Sequence, residues 1–485
     1  MLEVTFCPSV AVNRTSQLQL SDMLDYYSPD VVITELPAHR PQLQRVASSN
    51  IEVVGMGGRA FNLSELATQN CVSLIRVPNA DALASLPEFE RTHQEVLKGH
   101  SYLLSNLLQT TVDLTKLDTR LEGKDAYETA LEETGLDGTY THLTTQAGPD
   151  YRATWDDLTV QGTMPAIDSQ QGQSEPKFAH LTLQNDGVVT AKTRRPGHFG
   201  LQALSQVGAT RAETLRDAGY QSREAVADAE ITDLTALSGF GRTTAQTVTD
   251  AAEAFIDGEV RQKEAGSLPS SEPIFIDIET DGLTPTMVWL IGVLDRNGDE
   301  SYISFIAKDP DRPGEAVEAF MMWLDANAQN RPVVAYNGEK FDFPVLHEHI
   351  ADHCPEYVDT WERTQTFDPL FWATTKNNAA LPGRTNELED VAARLGWDSD
   401  ETGLSGATVG RLFQRYMRNP CAETALDWER HKRYCEDDVR SLAFVHDAIA
   451  DASRLDAGGG SSNRSGSSNG DASAEGTAQG QLTDF

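Results

Sequence analysis

Long apolar runs are missing from this chain. No stretch approaches the ~18 apolar residues that a membrane-crossing helix needs, and the opening residues, MLEVTFCPSV, lack the basic start and extended apolar core of a secretory leader. The expectation is a protein that stays in the cytoplasm, with no membrane partner. Cysteine is sparse as well. Cys7, Cys71, Cys354, Cys421 and Cys435 lie far apart and form no Cys-x-x-Cys pair, so neither a disulfide framework nor a zinc site is indicated.

Basic charge is the third scarcity. Lys and Arg number 39 against 74 Asp and Glu, a formal net charge of -35, and the pI is near 4.6. Such a balance ordinarily argues against a nucleic-acid partner, because phosphates are held by Lys and Arg. Yet the acidity is spread over the whole chain, Lys is scarce beside Arg, and apolar residues make up only 39%. That is the style of halophilic archaeal proteins, in which acidity is an adaptation to salt. At high salt counterion release contributes little to binding, so a nucleic acid would have to be held by geometry, metal and avidity. On charge alone, an acidic protein with no nucleic-acid partner is the competing reading.

With 485 residues and about 100–200 per domain, two to four domains are expected. Composition and periodicity divide the chain into a region over 1–195, a helical segment over 200–256, a polar linker over 257–272, a domain over 273–455 and a Gly/Ser/Asn-rich tail over 456–485. The first 80 or so residues alternate short β-rich runs (LEVTF, DVVITEL, NIEVVGM, VSLIRV) with helix-like stretches, a βαβ pattern that suggests a parallel sheet. A long helix is expected from about Asp81 to Glu133, then strands around TYTHLTT, ATWDDLTVQG and FAHLTLQNDGVVTAKTRR, with IDSQQGQSEPK as a loop. The fold class is therefore α/β and multidomain, with a central all-α segment. The tail cannot bury enough apolar surface to offset its ordering entropy and reads as disordered.

Three segments of the 273–455 region carry chemistry. In PIFIDIETDGL, the apolar Ile274, Phe275 and Ile276 mark a buried strand, and the two-residue period of a strand puts Asp277 and Glu279 on one face. Two carboxylates on a core strand are costly unless a cation neutralises them, and a divalent ion with a preference for oxygen ligands would do so. The same acids can also be read as solvated residues at a strand end beside the turn DGLTP. In VVAYNGEKFDFPVLHEHI, a strand runs into a turn holding Asn337, and a helix opens near Phe341 with Asp342 in its first turn. An acid there also serves commonly as a capping or dipole-complementing residue. In LDWERHKRYCEDDVRSLAFVHDAI, Tyr434 and Asp438 stand four apart on an amphipathic helix and share a face. A carboxylate there can complete a metal site, while the phenol can hydrogen-bond an attacking water. Glu436 and Asp437 are assigned to a solvated face, and Asp368 in FDPLFW to a turn.

Asp-x-Glu, Asn-x-x-x-Phe-Asp and Tyr-x-x-x-Asp, in that order, resemble the three motifs of the tyrosine branch of the DEDD exonuclease superfamily. IDIET, YNGEKFDFP and YCEDDV are similar to the proofreading domains of B-family polymerases and to stand-alone RNase H-like nucleases. The resemblance covers about 180 residues. It implies an RNase H-like mixed five-stranded sheet flanked by helices, two divalent ions (Mg²⁺ or Mn²⁺), and 3′-to-5′ removal of nucleotides. Asp277 would bridge both ions, Glu279 and Asp342 would hold one each or orient bound waters, Asp438 would complete the shell, and Tyr434 would position the attacking water. Asn337 and Phe341 would support the site or contact the terminal nucleotide, a purely structural role being the alternative.

The stretch from Leu201 to Phe255 contains two units in which a glycine turn joins a short helix to a longer one. It resembles tandem helix-hairpin-helix modules, which hold a phosphate on backbone N–H groups at a helix N-terminus. Leu237-Ser238-Gly239-Phe240-Gly241 fits the family's turn, with Arg242 opening the next helix. In the first unit Gly208 is followed by Ala209 where a second glycine is expected, so phosphate contact there is in doubt, and Arg211 is the residue that could still contribute. A packing module or a protein-docking surface is the other reading. Such modules usually take duplex DNA, which leans the partner toward DNA over RNA.

At the C-terminus Gln479, Leu482 and Phe485 resemble a shortened sliding-clamp box at the end of a flexible tether, which would raise effective concentration at DNA; an idle tail is the alternative. Gly55-Met56-Gly57-Gly58 fits no phosphate-binding fingerprint and reads as a tight turn. His39, His93, His142 and His198 lack metal-ligand spacing. The leading expectation is a two-metal 3′-5′ exonuclease of DNA repair or replication. An RNA-processing enzyme with the same site is the second, and a catalytically silent binding adaptor, which would have lost a carboxylate, is the third.

Overall fold

The computed structural model describes residues 1–458 except 57–60, 94–98, 114–117, 134–139, 150, 156–157, 165–175, 264–265, 283, 299, 329, 401, 403 and 422–423. Gln479, Leu482 and Phe485, most of the loop IDSQQGQSEPK, and Gly57-Gly58 therefore lie outside the described residues. Two compact units are present: Met1–Val226 with Thr232–Gly241, and Ala227–Ile231 with the chain from Arg242 onward.

The first unit opens with β1 (Leu2–Cys7), α1 (Ser9–Asn13), α2 (Gln17–Tyr27), β2 (Val31–Thr34), α3 (Arg40–Gln44) and β3 (Glu52–Gly55). Ser16 and Gln19 cap α2 reciprocally, the S-x-x-Q form of a capping box. Strands β1, β2 and β3 pair in parallel, as the alternation of strand and helix predicts. There follow β4 (Ser64–Gln69), β5 (Val72–Arg76), α4 (Leu86–Thr92), β6 (His100–Asp113), β7 (Asp118–Glu122), α5 (Lys124–Glu132), β8 (Tyr140–Gln146), β9 (Arg152–Trp155), β10 (Leu158–Gly162), β11 (Phe178–Leu183) and β12 (Val189–Arg194). Strands β11 and β12 extend the parallel trio antiparallel to β1, in the order β12-β11-β1-β2-β3. The remaining seven strands form a second sheet ordered β4-β5-β6-β8-β10-β9, with β7 on β6.

The long helix expected from Asp81 to Glu133 is not there. Among the described residues of that stretch only α4 and α5 are α-helical, and its centre is β6, paired in parallel with β5 and β8 and antiparallel with β7. Leu103, Leu104, Leu107 and Leu108 fit helical spacing on paper, but an apolar run of this kind does not distinguish a buried helix from a strand covered on both faces. Tyr102, Leu103 and Leu104 are all fully buried, so successive residues face opposite sides of the sheet and both sides are covered.

The helical segment comprises α6 (Ala209–Asp217), α7 (Arg223–Ala227), α8 (Ile231–Thr235) and α9 (Arg242–Asp257). Beyond it come β13 (Arg261–Gln262), β14 (Ile274–Thr280), β15 (Val288–Asp295), β16 (Ser301–Ile306), α10 (Glu315–Asn327), β17 (Val333–Val334), α11 (Asp342–His353), α12 (Val358–Arg363), β18 (Thr366–Phe367), β19 (Ala379–Ala380), α13 (Leu388–Leu395), α14 (Gly406–Arg418) and α15 (Trp428–Gly458). The sheet of this unit is mixed and five-stranded, ordered β16-β15-β14-β17-β18. Its β14–β15 and β15–β16 pairs are antiparallel, and its β14–β17 and β17–β18 pairs are parallel.

Strand alternation decides how this sheet is covered. Ile274, Ile276 and Ile278 face one side, in a core with Val317, Phe320 and Met321 of α10 and Leu346 and Ile350 of α11. Phe275 faces the other side, against Val439, Leu442 and Ala443 of α15. Cys435, Val439, Leu442 and Ile449 are buried along one stripe of α15, the spacing that seats a helix on a sheet. Among the described residues no helix is long and apolar enough to cross a membrane.

Candidate metal centre

The parity that buries Phe275 under α15 also turns Asp277 and Glu279 toward that helix. Asp277 lies opposite Gly292, and Glu279 opposite Leu290, in the β14–β15 ladder. From α15, Cys435 brings its sulfur to the same place, and one ligand atom from each of Asp277, Glu279 and Cys435 lies within 4.8 Å of the others. The thiol donates to Asp277 Oδ2 at 3.4 Å. Room for that sulfur comes from the facing strand, since a Cβ on Gly292 would collide with Cys435 Sγ and lie 3.1 Å from the Tyr302 hydroxyl.

Asp342 reaches the cluster from the opposite face of the sheet because it is the first residue of α11, at the end of the sheet where β17 stops. The turn that delivers it is tightly specified. Asn337 adopts φ 60°, a left-handed conformation that Asn tolerates better than most residues, and its carbonyl accepts from the N–H groups of Lys340 and Phe341. A Cβ on Gly338 would stand 2.8 Å from both Ala335 Cβ and the Phe343 ring, so the Asn-Gly pair is a backbone requirement. Phe341 is half-buried and packs on the core beneath the sheet.

The electrostatics of the cluster follow from burial and from the like charges gathered there. Burial raises Asp277 to about 6, against the pull of the Cys435 thiol. Glu279 is pushed well above the usual carboxylate range by burial and then by Asp277, Asp438 and Asp342. Asp342 is raised by burial and by Asp277, opposed by the N–H groups of its own residue and of Ile278. Asp438 is raised by burial, then by Asp277 and Glu389, and held back by a hydrogen bond with Tyr434. The Tyr434 phenol is raised by burial and by Asp438 and Glu279, so it remains a protonated donor at neutral pH. Glu279 Oε1 is buried with no hydrogen-bond partner. An orphaned carboxylate oxygen amid like charges is a costly arrangement, and it fits a hard divalent cation with oxygen ligands.

The structure thus places Asp277, Glu279, Asp342, Tyr434 and Asp438 together. Three further residues at or beside this place were not assigned to it from the sequence. Cys435 stands three residues before Asp438, so helical spacing alone could have brought it in. Glu389 of α13 is close enough to raise Asp438 and Tyr434, and nothing in its local sequence signals that. Asp368, read as a turn residue, is only 4% exposed. It does accept locally from Leu370 and Phe371, but it also holds the backbone N–H groups of Asn337 and Glu339. The solvated face assigned to Glu436 and Asp437 needs a correction at Asp437 alone. Glu436 pairs with Arg440, and Asp437 accepts from Trp397 Nε1, Ser399 Oγ and the Asp400 N–H, pinning that loop to α15.

In the helical segment, Gly208 is the N-cap of α6. Gly239 takes φ 83°, the left-handed region in which glycine is at ease, and Arg242 is the first residue of α9, directly after Gly241. Gly239, Gly241 and Arg242 are exposed while Phe240 is buried. Two donors of Arg211 serve the chain itself: Nε on the Gly239 carbonyl at 3.1 Å and Nη1 on the Gln206 carbonyl at 2.6 Å. Its guanidinium also lies 6.0 Å from the centre of the Phe240 ring.

Comparison with known families agrees with this organisation. Residues 274–450 match the RNase_H superfamily, and residues 200–254 match the SAM-like helix-hairpin-helix tandem. No curated protein matches the chain. Solved structures similar to it include the zinc-bound form of Escherichia coli ExoI with single-stranded DNA, at 16% identity and a TM-score of 0.21, covering 31% of this chain and 42% of that one. E. coli exonuclease I with a 5cy-dA13 oligonucleotide gives 18% identity and a TM-score of 0.20, covering 30% and 40%. The chain spans less than half the length of those proteins.

Proposed function

We propose that the 274–450 domain is a divalent-metal-dependent nuclease that removes nucleotides from 3′ ends, with DNA as substrate and repair or replication as its setting. The observation that carries this reading is the orphaned oxygen of buried Glu279, whose carboxyl is raised by burial and by the charges of Asp277, Asp438 and Asp342 around it, which asks for a cation. Asp277, Glu279, Asp342 and Asp438 would hold two such ions, Mg²⁺ or Mn²⁺. When bound, they lower the pKa of an attacking water and neutralise charge on the leaving 3′-oxygen. Tyr434, kept protonated by burial and by its acidic neighbours, would orient that water through its phenol oxygen, which accepts a hydrogen bond from the water while the O–H is given to Asp438, and does not act as the base. Asp438 accepts the tyrosine's hydrogen bond. The family match of the helical segment supports a nucleic-acid partner, and Gly239, Gly241 and Arg242 offer a backbone phosphate seat that needs few basic side chains. That suits a chain with a net charge of -35.

The test is release of nucleotides from end-labelled single-stranded DNA, duplex DNA and RNA in high KCl, with Mn²⁺, Mg²⁺ or EDTA, for the wild type, Asp277→Ala and Asp438→Ala. Metal-dependent shortening from the 3′ end of DNA, reduced on the order of 10²–10³-fold or more in both variants, is expected. Preferential cleavage of RNA would move the substrate to RNA processing, and no cleavage of any polymer would leave a binding adaptor.

A further inference from the structure

Asp368 is a buried carboxylate with two separate duties. It follows β18, which pairs in parallel with β17, so the two chains leave the sheet side by side. Its Oδ1 accepts from Leu370 N–H at 2.9 Å and Phe371 N–H at 3.1 Å, the local capping of a helical turn. The same oxygen takes the Asn337 N–H at 3.1 Å, and Oδ2 takes the Glu339 N–H at 3.2 Å. These last two bonds cross to the other chain. They grip the turn whose Asn337 is left-handed and whose Gly338 carbonyl accepts from the Phe343 N–H at 2.9 Å. That turn ends at Asp342, the first residue of α11.

We propose that Asp368 is a positioning residue: its carboxylate braces the Asn337–Glu339 turn and so fixes the place of Asp342 in the carboxylate cluster. It thereby sets the affinity of the cluster for a divalent ion without touching the ion. The inference rests on the reading of that cluster as a metal centre. Local capping alone would be satisfied by any short acceptor at position 368, whereas the reach to Asn337 and Glu339 needs both oxygens of a carboxylate.

Two substitutions separate those duties. Asp368→Ser keeps a side-chain acceptor for the Leu370 and Phe371 N–H groups but cannot span to the opposite turn, and Asp368→Asn sets an amide against the Glu339 N–H while keeping the other oxygen. The measurement is Mn²⁺ binding to the full chain by titration calorimetry, beside melting temperature, with Asp342→Asn as reference. Asp368→Ser is expected to fold and to bind Mn²⁺ about 10–100-fold more weakly, as loss of an outer-shell partner does, with Asp368→Asn in between. Unchanged Mn²⁺ affinity in both Asp368 variants beside a weakened Asp342→Asn overturns the inference and leaves the metal centre standing. Unchanged affinity in Asp342→Asn as well overturns the reading of the centre, and the inference with it.

Discussion

Replacing Gly292 by alanine would drive a methyl group into the Cys435 sulfur, where β15 meets α15. Gly292 is the ladder partner of Asp277, its added Cβ would collide with Cys435 Sγ, and the Tyr302 hydroxyl at 3.1 Å limits escape to the side. Cys435, Val293 and Leu290 are all fully buried, so there is little slack to absorb the extra atom. Overpacking of this kind costs about 1–3 kcal/mol. At about 2–4 °C per kcal/mol for a domain of this size, the melting temperature should fall by about 2–12 °C. The strain is borne by α15, which carries Tyr434 and Asp438, so nuclease activity should fall with it although no carboxylate has been changed. Cys435→Ala alone should also be mildly destabilising, because it empties the sulfur's place and removes the hydrogen bond to Asp277. The double variant puts the alanine methyl where the sulfur was. A double-mutant cycle on thermal or denaturant unfolding should therefore show a favourable coupling of about 1–3 kcal/mol. A Gly292→Ala protein that melts with the wild type, or one whose defect Cys435→Ala does not relieve, would refute the packing argument for the centre.

Two other outcomes follow from the electrostatics. Asp277 is raised to about 6, and Glu279, Asp342 and Asp438 are raised well above the usual carboxylate range, chiefly by burial. A carboxylate with a higher pKa folded than unfolded binds protons more tightly in the folded state. Its contribution to stability is fully present below about pH 4 and is lost as pH rises through about 6 and beyond. In EDTA the chain should thus melt lower at about pH 8 than at about pH 5.5, and saturating Mn²⁺ should remove most of that difference; a pH-independent melting temperature in EDTA would count against the buried cluster. Tyr434→Phe should lower kcat by about 10²-fold, and an undiminished kcat would remove the tyrosine from the reaction.

The carboxylate cluster was largely legible in the primary structure, for reasons of period. A two-residue repeat fixes Asp277 and Glu279 on the face opposite Ile276 and Ile278, and a helical repeat fixes Tyr434 and Asp438 on one side of α15. Asn337 and Gly338 announced a turn, and both have a backbone reason to be there, a left-handed φ in one case and close packing in the other. What stayed hidden depended on chain segments distant in sequence. Asp368 stands 31 and 29 residues from the two turn positions it holds, and its local sequence reveals only the nearer half of its work. The strand β6 was misread for a related reason: its apolar spacing fits a helix, and only neighbours on both sides turn it into the middle of a sheet.

By itself, then, the amino-acid order determined which residues share a face, where the turns fall, and that several acids would be brought onto core elements, because side-chain direction along a strand or helix is set by local geometry. Tertiary structure decided what those faces meet. It placed Cys435 against Asp277, opened a space at Gly292 to receive the sulfur, brought Glu389 beside Asp438, and ran β17 and β18 side by side so that one carboxylate holds two chains. Each of these depends on register and packing between segments far apart in the chain, which no local pattern encodes.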